Sequence, residues 1–187
     1  MIIIGITGTL GAGKGTIVEY LVNENNFIHF SVRAFITKEI VARGMEINRD
    51  NMVVVANELR ALHSPAYIVE QLYNQALASE KNCIIESIRT PGEVELLKQK
   101  GDFFLFAVDA KPEIRYQRIK LRGSETDFIS YEVFLENEKR EMNSDNPNKQ
   151  NLKKCIAMAD YFFENNGGIS ELQSKIMLVL KKIEKHG

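Results

Sequence analysis

A glycine-rich segment near the start of the chain, residues 8–16, constrains the fold more than any other feature. It reads G-T-L-G-A-G-K-G-T and fits the pattern G-x-x-x-x-G-K, with Gly15 and Thr16 directly after it. Glycines let the backbone curl until its N–H groups point inward and form a site for an anion. A helix that begins near Lys14 would add its positive end at the same point. The segment therefore predicts a phosphate-binding loop.

This loop predicts nucleotide binding. Lys14 is placed to reach the β- and γ-phosphates, and Thr16, or alternatively Thr9, can offer a hydroxyl to Mg²⁺ or to a phosphate. A glycine-rich turn without a ligand is the weaker interpretation, because an apolar strand precedes the segment and a helix follows it. The loop residues predicted to bind the nucleotide are Gly8, Thr9, Leu10, Gly11, Ala12, Gly13, Lys14, Gly15 and Thr16.

Apolar runs alternate with segments of helical character along the whole chain, which predicts an α/β fold with a parallel sheet covered on both faces. No repeat or low-complexity linker interrupts the pattern, so we expect a single domain over residues 1–187. The predicted strands are 2–7, 27–30, 83–86, 103–109 and 161–164. The predicted helices are 14–23, 33–43, 49–62, 66–79, 91–100, 112–122, 130–142 and 169–182.

Composition excludes several classes of partner. The formal net charge of −1 gives no overall attraction to a nucleic acid polymer or to a membrane surface. No apolar stretch approaches the roughly 20 residues of a membrane-spanning helix. The two cysteines, Cys83 and Cys155, lie far apart and show no metal-ligand spacing, which favours a reduced, cytoplasmic environment.

Several segments resemble one family of enzymes. Residues 13–16, G-K-G-T, are similar to the phosphate loop of adenylate kinases, and 29–33, H-F-S-V-R, to the segment I-S-T-G-D-x-x-R without its Gly-Asp. Residues 86–90, E-S-I-R-T, resemble D-G-F-P-R-T or D-G-I-R-S. Residues 159–167, A-D-Y-F-F-E-N-N-G, are similar to A-D-x-x-I-x-N-x-G of dephospho-CoA kinase-like and deoxynucleotide kinase chains. The chain therefore resembles the P-loop nucleoside monophosphate kinases over nearly its whole length.

The resemblance implies a three-layer α/β/α P-loop fold. Its five-stranded parallel sheet would have the order 2-3-1-4-5, with a small helical part at about 31–80 that binds the phosphoryl acceptor. A short lid would lie at about 118–130. ATP and Mg²⁺ would be the cofactors, and the partner would be a nucleoside monophosphate or a similar small acceptor. The oligomeric state is left open.

Two charged residues follow the third predicted strand, at the edge of the sheet where ligands bind in such folds. By resemblance, Arg89 would hold the phosphate of the acceptor, and its guanidinium suits that task because it donates in a bidentate manner. A surface ion pair with Glu93 or Glu95 is the alternative. Glu86 can hold Mg²⁺ through water or contact the acceptor, or it can simply pair with Lys14 or Arg89.

Three arginines stand where the family carries its lid arginines in the pattern R-x-x-R-x-x-x-R. Arg115, Arg118 and Arg122 would share one helix face, where like charges repel unless anions lie nearby. Arg118 and Arg122 are therefore predicted to contact the transferred phosphoryl group, together with Lys14 and Arg89, whereas the case for Arg115 is weaker. A solvated face that pairs with acids such as Glu113 is the alternative.

Four further residues complete the predicted site. Arg33 follows the second strand and Arg60 lies on an apolar helix, and both are predicted to face the acceptor, with a surface role as the alternative. By resemblance alone, Asn166 and Gly167 would line the adenine pocket. They can equally form a plain turn between the last strand and the last helix.

Together these residues predict an ATP-dependent phosphotransferase of the nucleoside monophosphate kinase type, which would move the γ-phosphoryl group of ATP to a nucleoside or deoxynucleoside monophosphate. One alternative is a dephospho-CoA kinase-like enzyme that acts on a hydroxyl group. It is disfavoured because residues 31–33, S-V-R, stand where those enzymes usually carry acidic residues. The other alternative is an ATP-binding switch or assembly factor that hydrolyses ATP slowly.

Overall fold

The computed structural model of the chain describes residues 1–124 and 127–186, and for residue 186 it describes the backbone alone. The strands are β1 (Ile3–Gly8), β2 (Ile28–Ser31), β3 (Cys83–Glu86), β4 (Phe103–Asp109) and β5 (Tyr161–Glu164). They form one sheet in the order β2-β3-β1-β4-β5, and every neighbouring pair is parallel. The carboxyl ends of all five strands therefore meet at one edge of the sheet.

Helices cover both faces of this sheet. In the described residues they are α1 (Lys14–Asn25), α2 (Val32–Ala42), α3 (Arg49–Leu62), α4 (Tyr67–Ser79), α5 (Pro91–Lys98), α6 (Pro112–Arg122), α7 (Tyr131–Met142), α8 (Leu152–Ala157) and α9 (Ile169–His186). Across 1–124 and 127–186, none of them is long and apolar enough to cross a membrane.

Side chains along the central strand β1 alternate between two cores. Ile3 packs with α2 to α5 and α8 on one face, whereas Ile4 and Ile6 pack with α1 and α9 on the other. Gly5 points into the first core, where a methyl group would come within 2.6 Å of Ile88 and closer still to Phe103. A strand that is buried on both faces favours apolar residues on both, which explains the apolar character of β1. Its one polar side chain, that of Thr7, donates a hydrogen bond to the carbonyl of Ile88.

The structure confirms the predicted fold class, the strand order 2-3-1-4-5 and the alternation of strands and helices. Two details differ. Helix α9 extends to His186 rather than to residue 182, and the six-residue helix α8 has no counterpart in the predicted elements. This helix is too short to show a helical periodicity of apolar residues in the sequence. Instead, Asn151 caps it by accepting a hydrogen bond from the N–H of Lys154, and Leu152 and Cys155 anchor it in the protein interior.

A buried carboxylate, that of Glu93, holds the turn between β3 and α5. Its Oε1 accepts hydrogen bonds from Nε and Nη2 of Arg60 at 3.0 and 2.8 Å. Its Oε2 accepts from the backbone N–H groups of Arg89 and Thr90 at 2.8 and 3.0 Å. The hydroxyl of Thr90 in turn accepts from the N–H of Glu93, which completes a capping box at the start of α5. One side chain thus fixes both Arg60 and the backbone that carries Arg89.

Ser87 lies in the same turn with a left-handed backbone, at a φ of 74°. This conformation costs a residue with a side chain about 1–2 kcal/mol. Glycine occupies the corresponding place in the motif D-G-I-R-S, which residues 86–90 resemble. The serine hydroxyl compensates in part, because it donates a hydrogen bond of 2.6 Å to Oε1 of Glu86.

We predict that Glu93→Gln destabilises the protein by about 3–5 kcal/mol, the usual cost of breaking a buried ion pair. Both carboxylate oxygens of Glu93 face N–H donors, so either orientation of a glutamine amide would set its NH₂ group against a donor. Urea unfolding measures the change. Glu95→Gln, an identical change on the exposed side of α5, is the control and should leave stability within about 0.5 kcal/mol of wild type.

We also predict that Ser87→Gly is more stable than Ser87→Ala by about 1 kcal/mol, because only glycine adopts the left-handed backbone without steric cost. Both variants lose the hydroxyl, so the broken hydrogen bond to Glu86 cancels in the comparison. Thermal unfolding of the two proteins under the same conditions gives the difference. Equal stability of the two variants would contradict a strained backbone at this position.

Candidate active site

A cavity of about 640 Å³ opens at the carboxyl edge of the sheet, where the glycine-rich loop meets α2, α3, α6, α7 and the turn after β3. Its charged lining is mainly cationic, although the chain as a whole has a net charge of −1. The lining cations are Lys14, Arg33, Arg49, Arg60, Arg89, Arg118 and Arg122, and the lining carboxylates are Glu19, Glu86 and Glu141. This excess of positive charge suits a ligand with several negative charges.

The loop of residues 8–13 is shaped by close contacts with its neighbours. Gly8 has a φ of 143°, and a methyl group there would overlap the backbone carbonyl of Val108. Gly13 has a φ of 112°, and a methyl group there would overlap the side-chain amide of Asn165. The same amide donates a hydrogen bond of 2.8 Å to the carbonyl of Ala12. Glycine is therefore required at both positions for the loop to close against β4 and the segment after β5.

Lys14 begins α1, and its side chain folds back over the loop. Its ammonium group donates hydrogen bonds to the backbone carbonyls of Gly8 at 2.9 Å and Thr9 at 2.8 Å. Burial, together with the positive charge of Arg89, lowers the pKa of Lys14 to about 8. The ammonium is thus poorly compensated for its burial, and a phosphate beside it would favour its charged form.

Glu86 ends β3 and faces the cavity beside the imidazole of His29, with 3.8 Å between His29 Nε2 and Glu86 Oε2. Burial by itself raises the pKa of Glu86. The imidazole of His29, the charge of Lys14 and the hydroxyl of Ser87 outweigh this effect and hold the pKa at about 2. Glu86 is therefore a carboxylate at any physiological pH, which suits it to binding a cation and makes it a weak proton acceptor.

Arg89 projects into the cavity and is held by two acceptors on its Nη1. These are Oε2 of Glu141 and Oε1 of Gln150, both at 2.8 Å. The other carboxylate oxygen of Glu141 accepts from Nη2 of Arg49 at 2.5 Å. Glu141 is 3% exposed, and the charges of the two arginines outweigh its burial and lower its pKa. Arg89 thus pairs with a carboxylate from α7, and not with Glu93 or Glu95.

The other predicted arginines also reach the cavity. Arg33 is exposed at the start of α2, whereas Arg60 is buried against Glu93. Arg118 donates to the carbonyls of Asn165 at 3.0 Å and Gly167 at 3.1 Å. Arg122 makes two hydrogen bonds of 2.7 Å to the carboxylate of Asp127.

Part of the predicted site lies outside the cavity lining. The hydroxyl of Thr9 is buried and donates to Asp109 at 2.5 Å, which leaves Thr16 as the loop hydroxyl that faces the cavity. Asn166 bonds the backbone of Lys111 and the side chain of Glu164. Gly8, Ala12 and Gly167 likewise do not line the cavity, although Gly167 contacts Arg118. In the predicted lid, residues 125 and 126 lie outside the described residues.

Sequence reasoning missed several polar cavity residues, among them His29, Arg49, Glu141 and Gln150. Arg49 and Glu141 stand on helices 92 positions apart in the chain, so no motif joins them. Position in the sheet was the available signal for His29, because it lies in the second predicted strand, two residues before the strand ends. Arg115 lies outside the cavity lining, where it is buried and pairs with Glu138.

Comparisons with known proteins agree with this architecture. The TT1252 protein from Thermus thermophilus is 21% identical, with a TM-score of 0.62, and the match covers 97% of each chain. Shikimate kinase from Aquifex aeolicus is 16% identical with a TM-score of 0.57 over the full length of both chains. A gluconokinase from Sinorhizobium meliloti is 12% identical, with a TM-score of 0.59, and the match covers 99% of this chain and 94% of that one. The fold is therefore that of the P-loop kinases.

Sequence comparison gives the family. The AAA domain family matches residues 4–146, which include the glycine-rich loop, β3 and Arg89. A UPF0200 protein from Methanococcus vannielii is 31% identical over 186 residues, which cover 98% of this chain and 97% of the relative. A second UPF0200 protein, from Methanocaldococcus jannaschii, is 29% identical, and the match covers 100% of this chain and 94% of the relative. The chain belongs to the AAA domain family and to the UPF0200 proteins, with the fold of a P-loop kinase.

Proposed function

We infer that this protein transfers the γ-phosphoryl group of ATP to a nucleoside or deoxynucleoside monophosphate. The observation that carries the proposal is the shared cavity of Lys14 and Arg89, in which the charge of Arg89 is close enough to lower the pKa of Lys14. Lys14 belongs to the phosphate-binding loop, and Arg89 comes from a different strand end. Two cations that reach one space from different elements suit a reaction between two phosphate groups.

On the ATP side, the backbone N–H groups of residues 8–13 and the ammonium of Lys14 hold the phosphates. Thr16 and Glu86 both line the cavity, and Glu86 is ionised, so these two residues would hold one Mg²⁺. The described residues contain no cluster of three or more His, Cys, Asp or Glu side chains that could hold a metal ion. Mg²⁺ would neutralise charge on the transferred group.

The nucleoside of ATP would lie on the side of the cavity where α6 meets the segment after β5. Arg118 bridges these two elements through the carbonyls of Asn165 and Gly167. In the proposal, Gly167 and Asn166 border the adenine by their backbone, and Arg118 and Arg122 turn toward the transferred phosphoryl group. Arg122 would exchange Asp127 for a phosphate oxygen when residues 118–130 close as a lid.

The acceptor would occupy the side of the cavity formed by α2 and α3, which belong to the helical part at residues 31–80. Val32, Ile36, Met52 and Val53 give this side an apolar wall that can pack against a base or a sugar. Arg89, Arg33 and Arg60 supply positive charge around it. This combination of an apolar wall and guanidinium groups suits a small organic phosphate.

The low basicity of Glu86 favours a phosphate as the acceptor. A hydroxyl acceptor loses a proton during the transfer and benefits from a general base, whereas a phosphate oxygen is already ionised. With a pKa of about 2, Glu86 is a poor base. Glu141 is equally unsuited, because both of its oxygens accept hydrogen bonds from arginines. The carboxylates on this side of the cavity therefore fit an acceptor that needs no deprotonation.

One observation favours a second candidate, a dephospho-CoA kinase-like enzyme that acts on a hydroxyl. The imidazole of His29 lines the cavity beside Glu86, and a neutral imidazole can take the proton of a hydroxyl. Two of the structural neighbours are named as kinases of small molecules, a shikimate kinase and a gluconokinase. An ATP-binding switch with slow ATPase activity is the remaining alternative.

The proposal predicts ADP release that depends on an acceptor. A coupled assay should screen all ribo- and deoxynucleoside monophosphates, dephospho-CoA, shikimate and gluconate, with Lys14→Ala as the background. We expect at least one nucleoside monophosphate to raise the rate by about tenfold or more above that background. If none of the compounds does so, the kinase proposal fails, and ADP release without any acceptor would indicate the switch. Activity with a hydroxyl compound alone, lost in His29→Ala, would support the second candidate.

Arg89→Ala is predicted to weaken the binding of the acceptor more than the binding of ATP. We expect the KM for the acceptor to rise by about tenfold or more, because a guanidinium–phosphate interaction is lost, while the KM for ATP changes by less than about threefold. Steady-state kinetics with each substrate varied in turn separate the two effects. A larger change for ATP would contradict the role assigned to Arg89.

A further inference from the structure

A carboxylate of the protein itself already occupies the arginine cluster of the acceptor side. Glu141, near the end of α7, is bound through Oε1 by Arg49 at 2.5 Å and through Oε2 by Arg89 at 2.8 Å. All three residues line the cavity, and Glu141 is 3% exposed. The protein thus holds an anion of its own between two guanidinium groups that face the substrate space.

This internal anion leaves the cluster incompletely satisfied. Arg49 Nε and Arg60 Nη1 are buried and have no hydrogen-bond partner in the described part of the chain. Arg60 is 2% exposed, and its Nε and Nη2 both donate to Glu93, which lies outside the cavity lining. Burial also outweighs the charge of Glu141 at Arg49 and lowers the pKa of that guanidinium. Buried N–H donors without partners are costly, and they mark the place where a ligand would supply acceptors.

The balance of charges also favours an additional anion at this cluster. Glu93 compensates Arg60, so Arg49 and Arg89 share the single negative charge of Glu141. A phosphate monoester dianion would bring two negative charges and three terminal oxygens to the same place. It could balance the charge of both arginines and offer further acceptors for their N–H groups, which one carboxylate does not achieve.

We propose that Glu141 holds the place of the acceptor's phosphate, so that an acceptor binds Arg49, Arg60 and Arg89 by displacing this carboxylate. Glu141 then acts as a specificity-determining residue. A dianion gains enough binding free energy at the cluster to displace Glu141. A monoanionic carboxylate gains little, because it only replaces one carboxylate with another. The identity of the natural anion as a nucleoside monophosphate rests on the proposed function, but the phosphate site itself does not.

The proposal predicts that removing the charge of Glu141 strengthens phosphate binding. Isothermal titration calorimetry with inorganic phosphate at pH 7.5, without ATP, should give an affinity for Glu141→Gln about tenfold or more above that of wild type. Glu136→Gln, the same change on the exposed side of α7, is the matched control and should bind like wild type. In wild type, acetate should bind more weakly than phosphate, because it brings only one charge and competes with a carboxylate that is already in place.

The glycine-rich loop also binds phosphate, so a double variant separates the two sites. The gain in Glu141→Gln must vanish in Glu141→Gln/Arg49→Ala, in which residues 8–16 are intact. Glu141→Asp keeps the charge but withdraws it by one methylene, and it should bind phosphate with intermediate affinity. This second variant remains informative if Glu141→Gln does not fold.

Unchanged or weaker phosphate binding by folded Glu141→Gln, or by Glu141→Asp, would overturn the proposal and leave Glu141 as a fixed support for the two arginines. No turnover enters these measurements. A failed acceptor screen and a failed phosphate titration are therefore distinct outcomes, and each can occur without the other.

Discussion

The buried carboxylate of Glu93 is the group on which the geometry of one side of the cavity, formed by α3 and the turn after β3, depends. One of its oxygens holds Arg60 of α3, and the other holds the N–H groups of Arg89 and Thr90. It joins the helical part at residues 31–80 to the end of β3, and it offsets a positive charge behind the cavity wall. Because the carboxylate is completely buried, its four hydrogen bonds leave little freedom for the turn. Arg89 is consequently presented by a rigid backbone.

The cavity gathers several cations, which pair with groups of the protein itself. Lys14 rests on two backbone carbonyls, Arg89 and Arg49 share Glu141, and Arg122 is held by Asp127. Each of these four cations therefore has a protein partner. This arrangement keeps several like charges together in a protein of nearly neutral net charge.

Much of the fold could be predicted because its signals are local. The apolar run of β1, the glycines of the loop and the capping residues of the helices act over a few positions, and the observed elements match them closely. The strand order came from resemblance to a family and not from periodicity. Helix α8 was not predicted, because it is defined by a cap at Asn151 and by two buried side chains. Only the tertiary structure shows that one of these, Cys155, is buried.

The sequence by itself determined the phosphate-binding loop, the parallel sheet and the strand ends that carry Glu86 and Arg89. These depend on backbone conformation and on the polarity of successive residues, which local sequence controls. Only the tertiary structure decided which charges meet. Arg89 and Glu141 are 52 residues apart and Arg49 and Glu141 are 92, and the fold brings the end of α7 to the start of α3 and to the turn after β3. The strength of an ion pair depends on burial and on the distance between the charges, and a local sequence pattern gives neither.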